Sequence, residues 1–307
     1  MSLLENVLKV VKILDRPEVS KDDLRELLKR SNRITLTFKT VKGDKGSTLF
    51  VKFHAKGLGE GPTIGVIGRL GGVAARPTML GLVSDADGAI VALTVASKIA
   101  EMYEYGDLLG GDVIITTHIT THAPIKPYKP VPMMDSPVDI FTLLKEEVDP
   151  KMEAIISIDA TKANKIINHT GIAITHIVRD GWILKVSDDI LDIYTRVTGE
   201  PPVIVPLTMQ DIIPFSTRVY HINSIVQPWI YTAAPILGVA TTTRMPVPGS
   251  ATGVTNALVL DLASRFVLEV VKEYVAKRIR FHDEEEWNTI IKVHGEIKDV
   301  MKRGAPI

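Results

Sequence analysis

Short apolar runs that suit buried strands alternate along this chain with segments of helix length, and that alternation constrains the fold more than any other feature. PTIGVIG, GDVIITTHITTH, EAIISIDAT, PVIVP and PILGVAT read as strands. A helix rich in Ala, Val and Ile runs from Ala86 to about Tyr105 and is closed by Gly106, and another starts at about Asp188. Strands interleaved with helices imply an α/β fold with a mixed, mostly parallel sheet and helices on both faces. No shift in composition marks a linker, so residues 1–307 read as a single domain.

The flanking segments follow the same logic. Leu3, Leu4, Val7, Val10, Val11 and Leu14 recur at three and four residues, one face of a helix that ends before Pro17. Ser20 followed by Asp23 predicts a capping box opening a helix to about Arg30. RITLTFKTVKGDKGSTLFVKF alternates on either side of a GDKG turn, a β-hairpin; residues 1–60 are expected to pack as two helices and a hairpin on the rest. A second hairpin turns at Arg179-Asp180-Gly181. Five prolines between Pro124 and Pro137 mark a long irregular loop, and two helices, about 253–277 and 283–303, close the chain.

Composition removes several functions. Lys+Arg and Asp+Glu both total 36, so the chain lacks the basic excess of a nucleic-acid binder. It has no cysteine, which leaves only His and carboxylates as metal ligands and excludes thiolate chemistry. No window supplies the roughly 18 apolar residues of a membrane span. MSLLENVLKVVKILDR reads as a mature helix rather than a signal peptide, so the expected location is cytoplasmic.

In α/β sheets chemistry collects where strands end, which directs attention to GRLGG, SDADG, THITTH and SIDATK. Asp85 and Asp87 lie at the start of a helix, where a carboxylate either caps the helix or binds a cation. His118, Thr120 and His122 share one face of a strand, but the two imidazoles lie about 13 Å apart at ~3.3 Å per residue, so they share an ion only if the chain bends. Asp159 ends a strand, with Lys162 close behind. Arg69 and Arg76 sit among glycines whose N–H groups suit an anion, although neither a G-x-G-x-x-G nor a P-loop is present. His221 and Asn223 in YHINS complete the candidates. No nucleophile elbow is present.

Taken together, GVIGRLGGV, GLVSDADGAIVAL, GDVIITTHI, SIDATKAN, QDIIPFSTRVYHINSI and VPGSATG resemble the prokaryotic "domain of unknown function 1177" family over nearly the whole chain. The order of elements more distantly resembles the dinuclear-zinc exopeptidases, the aminopeptidase and carboxypeptidase clan with its phosphorylase/hydrolase-like fold. That resemblance implies Asp85 as a metal-bridging carboxylate and Asp159 as a terminal ligand. Three other motifs depart from the clan. Gly68-Arg69-Leu70-Gly71 stands for His-x-Asp, Thr117-His118-Ile119-Thr120 for Glu-Glu, and Thr243-Arg244-Met245-Pro246 for the late His.

Three functions compete. In the first, favoured slightly, Asp85 and Asp159 with His118, His122 or His221 bind a divalent metal, zinc or manganese, that activates water against a peptide- or amide-like small substrate. In the second the cleft binds a small anionic or peptide-like ligand without turnover, through Arg69, Asp87, Lys162 and Asn223. In the third the chain is mainly an assembly protein. Its last helix carries Trp287, Ile290, Ile291, His294, Ile297 and Met301 on one side, and the clan resemblance implies a homo-oligomer.

Overall fold

The computed structural model describes residues 2–69, 71–129, 131–161, 166–214, 219, 224–247 and 255–297. Helix α1 (Leu3–Leu14) opens with Ser2, whose side chain accepts the Glu5 N–H, and buries Leu3, Val7, Val10 and Leu14. Helix α2 (Lys21–Leu28) is capped by Ser20, which accepts the Asp22 N–H. The expected reciprocal arm of a capping box is replaced by an ion pair, since Asp23 reaches Arg16 at 2.6 Å.

Four strands form the centre of the sheet: β3 (Ile64–Gly68), β4 (Val113–Ile119), β7 (Ala154–Thr161) and β11 (Ile236–Thr242). They are mutually parallel in the order β4-β3-β7-β11, and all but the last two residues of β7 are buried. Burial on both faces explains their unbroken apolar runs. Antiparallel strands flank this centre. The hairpin of β1 (Ile34–Gly43) and β2 (Gly46–Ala55) does not merely pack on the sheet but extends it, β2 pairing with β4 from Leu49 to Ala55. On the other side β11 pairs with β8 (Gly171–Arg179), and β8 pairs in turn with β10 (Ile204–Val205). The turn from β8 into β9 (Trp182–Leu184) places Asp180 and Gly181 at φ of 51° and 83°. The expected mixed, mostly parallel sheet is present.

Helices cover both faces. Helix α3 (Asp87–Glu104), α7 (Ala257–Val275) and α5 (Asp188–Thr198) lie with α1 and α2 on one face, in a core that takes Val113, Ile115, Ile156 and Ile158 from the strands. α3 is buried almost all round because α1 and α7 pack on it from outside, which is why its sequence shows little amphipathic contrast. The opposite face takes the alternate strand residues Ile67, Ile114 and Ile155. There helix α4 (Ile140–Glu147) packs against β2, β4 and the 3₁₀ turn Gln227–Tyr231. The proline-rich segment also holds a two-stranded ribbon, β5 (Ile125–Lys126) with β6 (Met133–Met134). A short helix α6 (Met209–Ile212) follows β10.

Helix α8 (Glu284–His294) turns its apolar stripe onto its own chain: Trp287 is buried, Ile290 and Ile291 pack against the core, and Ile297, beyond the helix, is buried as well. Met301 lies outside the described residues. Among the described residues no helix is long and apolar enough to cross a membrane.

Candidate functional site

Alternation along β4 sends Ile114, Thr116 and His118 toward the α4 face. Thr116 Oγ1 donates to the Glu147 carbonyl at 2.7 Å, fastening the end of α4 over the strand. That contact brings the Glu147 carboxylate to His118, whose Nδ1 lies 2.6 Å from Oε1, with both side chains buried. A carboxylate in this position fixes the orientation of the imidazole.

His118 also lines a cavity of about 430 Å³ at the strand ends. Asp85 stands on the same wall, half-buried on the 3₁₀ turn Ser84–Ala86 that precedes α3. The cap position of α3 is Ala86 and carries no side-chain cap bond, so Asp85 is not its N-cap. Gly72, Thr120, Ile140 and Leu143 complete much of the lining. The segment 134–139 also lines the cavity and is tied down by Asp135, which meets Lys45 at 2.5 Å and Lys126 at 2.9 Å. Burial raises the Asp135 carboxyl, but hydrogen bonds from both lysines and from the Ser136 N–H outweigh it and hold the group below its usual range.

A second group of ionisable side chains lies at the ends of β3 and β7. Arg69 follows β3, donates its backbone N–H to the Ile158 carbonyl at 2.8 Å, and is the largest fully buried side chain of the described residues. Its Nε and Nη1 find no hydrogen-bond partner there. Asp159 is buried on β7 and accepts the Ala160 N–H at 2.6 Å. Burial pushes its carboxyl up to about 6; the Arg69 charge and the Ala160 N–H pull it down, while Glu147 and Asp87 raise it further. Asp87, fully buried at the start of α3, accepts from Thr241 Oγ1 on β11 at 2.7 Å. Gly88 lets α3 start so close to the sheet: a Cβ there would stand 2.3 Å from the Arg69 carbonyl and 2.7 Å from that of Ile158.

The sequence candidates therefore separate. Asp85 and His118 share a cavity whose lining does not include Asp159, Asp87 or Arg69, although Glu147, the partner of His118, also raises the Asp159 carboxyl. His122 stands apart, exposed on a different cavity beside the β1–β2 hairpin, because β4 ends at Ile119 and the chain leaves the strand. Arg76 is likewise elsewhere, 3.6 Å from Asp15 beyond the end of α1. Lys162, His221 and Asn223 lie outside the described residues. Sequence reasoning missed Glu147, and with it α4. The signals were Asp139 as N-cap and the spacing of Ile140, Leu143, Leu144 and Glu147.

The zinc pair implied by the clan resemblance does not fit what is gathered here. Among the described residues no three His, Asp or Glu side chains converge as a metal site. The buried Arg69 charge already favours ionised Asp159, so a dication there would meet a like charge.

Comparison with known proteins agrees with this fold. The glutaminyl cyclase of Porphyromonas gingivalis superposes with a TM-score of 0.53 at 13% identity, over 91% of this chain and 98% of that one. An Acidobacteriales bacterium glutaminyl cyclase gives 0.50 at 11% identity, over 90% and 94%. LapA of Legionella pneumophila gives 0.50 at 10% identity, over 89% and 73%. At such identities the likeness is one of fold. No curated protein matches the chain. The profile described as "Protein of unknown function (DUF1177)" matches residues 39–304, and the chain belongs to that family.

Proposed function

We propose that this protein binds a small molecule with an aliphatic part and a polar, peptide- or amide-like end in the cavity between β4, α4 and the turn before α3. The observation that carries this reading is the His118–Glu147 pair on the cavity wall: a buried carboxylate holds an imidazole in one orientation at the C-terminal end of a parallel strand. Ile140 and Leu143 supply an apolar wall, and Asp85 and His118 a polar one. A second reading, metal-dependent hydrolysis of such a molecule, draws on the same pair, because metal-bound histidines commonly have their other ring nitrogen held by a carboxylate.

Calorimetric titration with leucinamide, leucylglycine and hexanamide, with chromatography of the mixtures, tests the proposal. Saturable binding without hydrolysis, lost when Leu143→Trp fills the cavity, supports ligand binding. Hydrolysis stimulated by zinc or manganese favours the second reading. No saturable heat with any of the three probes refutes both.

Two further properties belong to this proposal. A cytoplasmic location is part of this proposal, and the burial of Leu3, Val7, Val10 and Leu14 makes the N-terminal helix part of the folded core. Self-association is expected through the surface where Leu8 and Leu80 are exposed around a shallow cavity shared with Leu82 and Ala257, rather than through α8. Light scattering that finds only a monomer refutes it.

A further inference from the structure

We infer that the polar side chains on the strand-end side of the cavity all present hydrogen-bond acceptors, with His118 held as the tautomer that offers a bare Nε2, so that the site selects small molecules whose polar end carries an N–H or O–H and refuses those whose polar end only accepts. This inference rests on the ligand-binding reading above and deepens it by naming the group that is recognised.

The tautomer follows from Glu147. Its carboxylate is buried, with Oε1 2.6 Å from His118 Nδ1. An ionised carboxylate has no hydrogen to give, so the hydrogen in that contact belongs to the imidazole, and in the neutral ring Nε2 keeps its lone pair. Nε2 has no hydrogen-bond partner among the described residues, and His118 lines the cavity. Phe50 packs on the imidazole at 5.7 Å between ring centroids and helps Glu147 to hold its orientation.

Thr120 becomes an acceptor by a different route. Its hydroxyl donates to Thr48 Oγ1 at 2.6 Å, and Thr48 in turn donates to the Ile119 carbonyl at 3.2 Å. Each hydroxyl has one hydrogen, so Thr120 Oγ1 can only accept from a ligand. Asp85 adds a carboxylate to the same cavity. The side-chain donors of the lining belong to the segment 126–136 rather than to the strand end: Lys126 is held by Asp135 at 2.9 Å, and Ser136 follows β6. A carbonyl or ether oxygen set against Nε2 and Thr120 Oγ1 displaces water and leaves both acceptors unmet, whereas an N–H or O–H satisfies them.

Calorimetric titration of the wild type with hexanamide and with heptan-2-one tests the inference, because the two differ only in an amino group exchanged for a methyl group of nearly equal size. Hexanamide is expected to bind at least about ten-fold more tightly. Long-range proton–nitrogen NMR spectra of histidine-labelled protein at about pH 9, above the ordinary histidine range, should show the hydrogen of His118 on Nδ1 and none on Nε2. Glu147→Leu removes the group that sets the tautomer and should narrow the preference for the amide by at least about three-fold.

Hexanamide that binds less than about ten-fold better than the ketone overturns the inference, and where leucinamide or leucylglycine still binds, the ligand-binding reading stands without it. A hydrogen on Nε2 overturns it whatever binds. No saturable heat with any of these molecules refutes the ligand-binding reading itself, and the inference with it. A folded Glu147→Leu variant that keeps the full preference overturns the part assigned to Glu147. If that variant does not fold, the wild-type titrations and spectra decide alone.

Discussion

Asp159→Asn keeps the size of the side chain and removes its charge, which isolates what burial does to this carboxylate. In the folded chain burial raises the group from 3.8 to about 6, Arg69 opposing and Glu147 adding. Between these two values the folded chain holds a proton that the unfolded chain has released. Stability therefore falls as pH rises through that window, because the folded state binds more protons there, and it is level above it. The gap is worth about 3 kcal/mol, at about 1.4 kcal/mol for each tenfold change in proton affinity. Urea unfolding of the wild type and of Asp159→Asn, at intervals from about pH 4 to about pH 8, measures it. Titrations common to both proteins cancel in the difference. The wild type should lose about 3 kcal/mol relative to the variant across the window, nearly all of it below about pH 7. Parallel curves, or a wild type that gains on the variant as pH rises, refute the placement of Asp159 in a desolvated site.

Other contacts give smaller or simpler readouts. Thr116→Val removes the bond that fastens the Glu147 carbonyl to β4 and should cost about 1–3 kcal/mol of unfolding free energy, with an unchanged urea midpoint as the contrary result. Gly88→Ala forces a methyl group onto the Arg69 and Ile158 carbonyls and should destabilise by about 1–3 kcal/mol or more; a Tm within a degree of the wild type would show that α3 can shift freely. Lys45→Ala removes an ion pair whose lysine is exposed and whose acid keeps Lys126, so a loss of more than about 1 kcal/mol would contradict this account of Asp135.

The secondary structure was largely legible because most elements carry their own punctuation. Pro17 stops the first helix, Gly106 follows α3, and Asp180-Gly181 makes the second hairpin turn, all local signals that tertiary contacts did not override. Where the reading failed, the cause was competition between partners. Asp23 was expected to close a capping box and instead finds Arg16. THITTH was read as one strand through His122, but pairing ends at Ile119, so His118 and His122 part company.

The site was only half legible. Asp85, His118 and Asp159 drew attention because polar residues at the ends of apolar runs stand out. Glu147 was not: a glutamate near the end of a short helix is ordinarily solvated, and nothing local reveals that Thr116 and His118 draw it inside. The burial of Arg69 was hidden for the same reason. Arginine among glycines suggested an anion-binding loop, whereas its place is set by the packing of β3, β7 and α3 around it.

Crystals grown with an excess of zinc and measured on both sides of the zinc absorption edge would test the central claim most directly, because anomalous density reports the metal itself. We predict no peak within bonding distance of His118, Asp85 or Asp159, with the Arg69 guanidinium in its buried position. A peak ligated by those side chains, with the guanidinium displaced, would contradict the account.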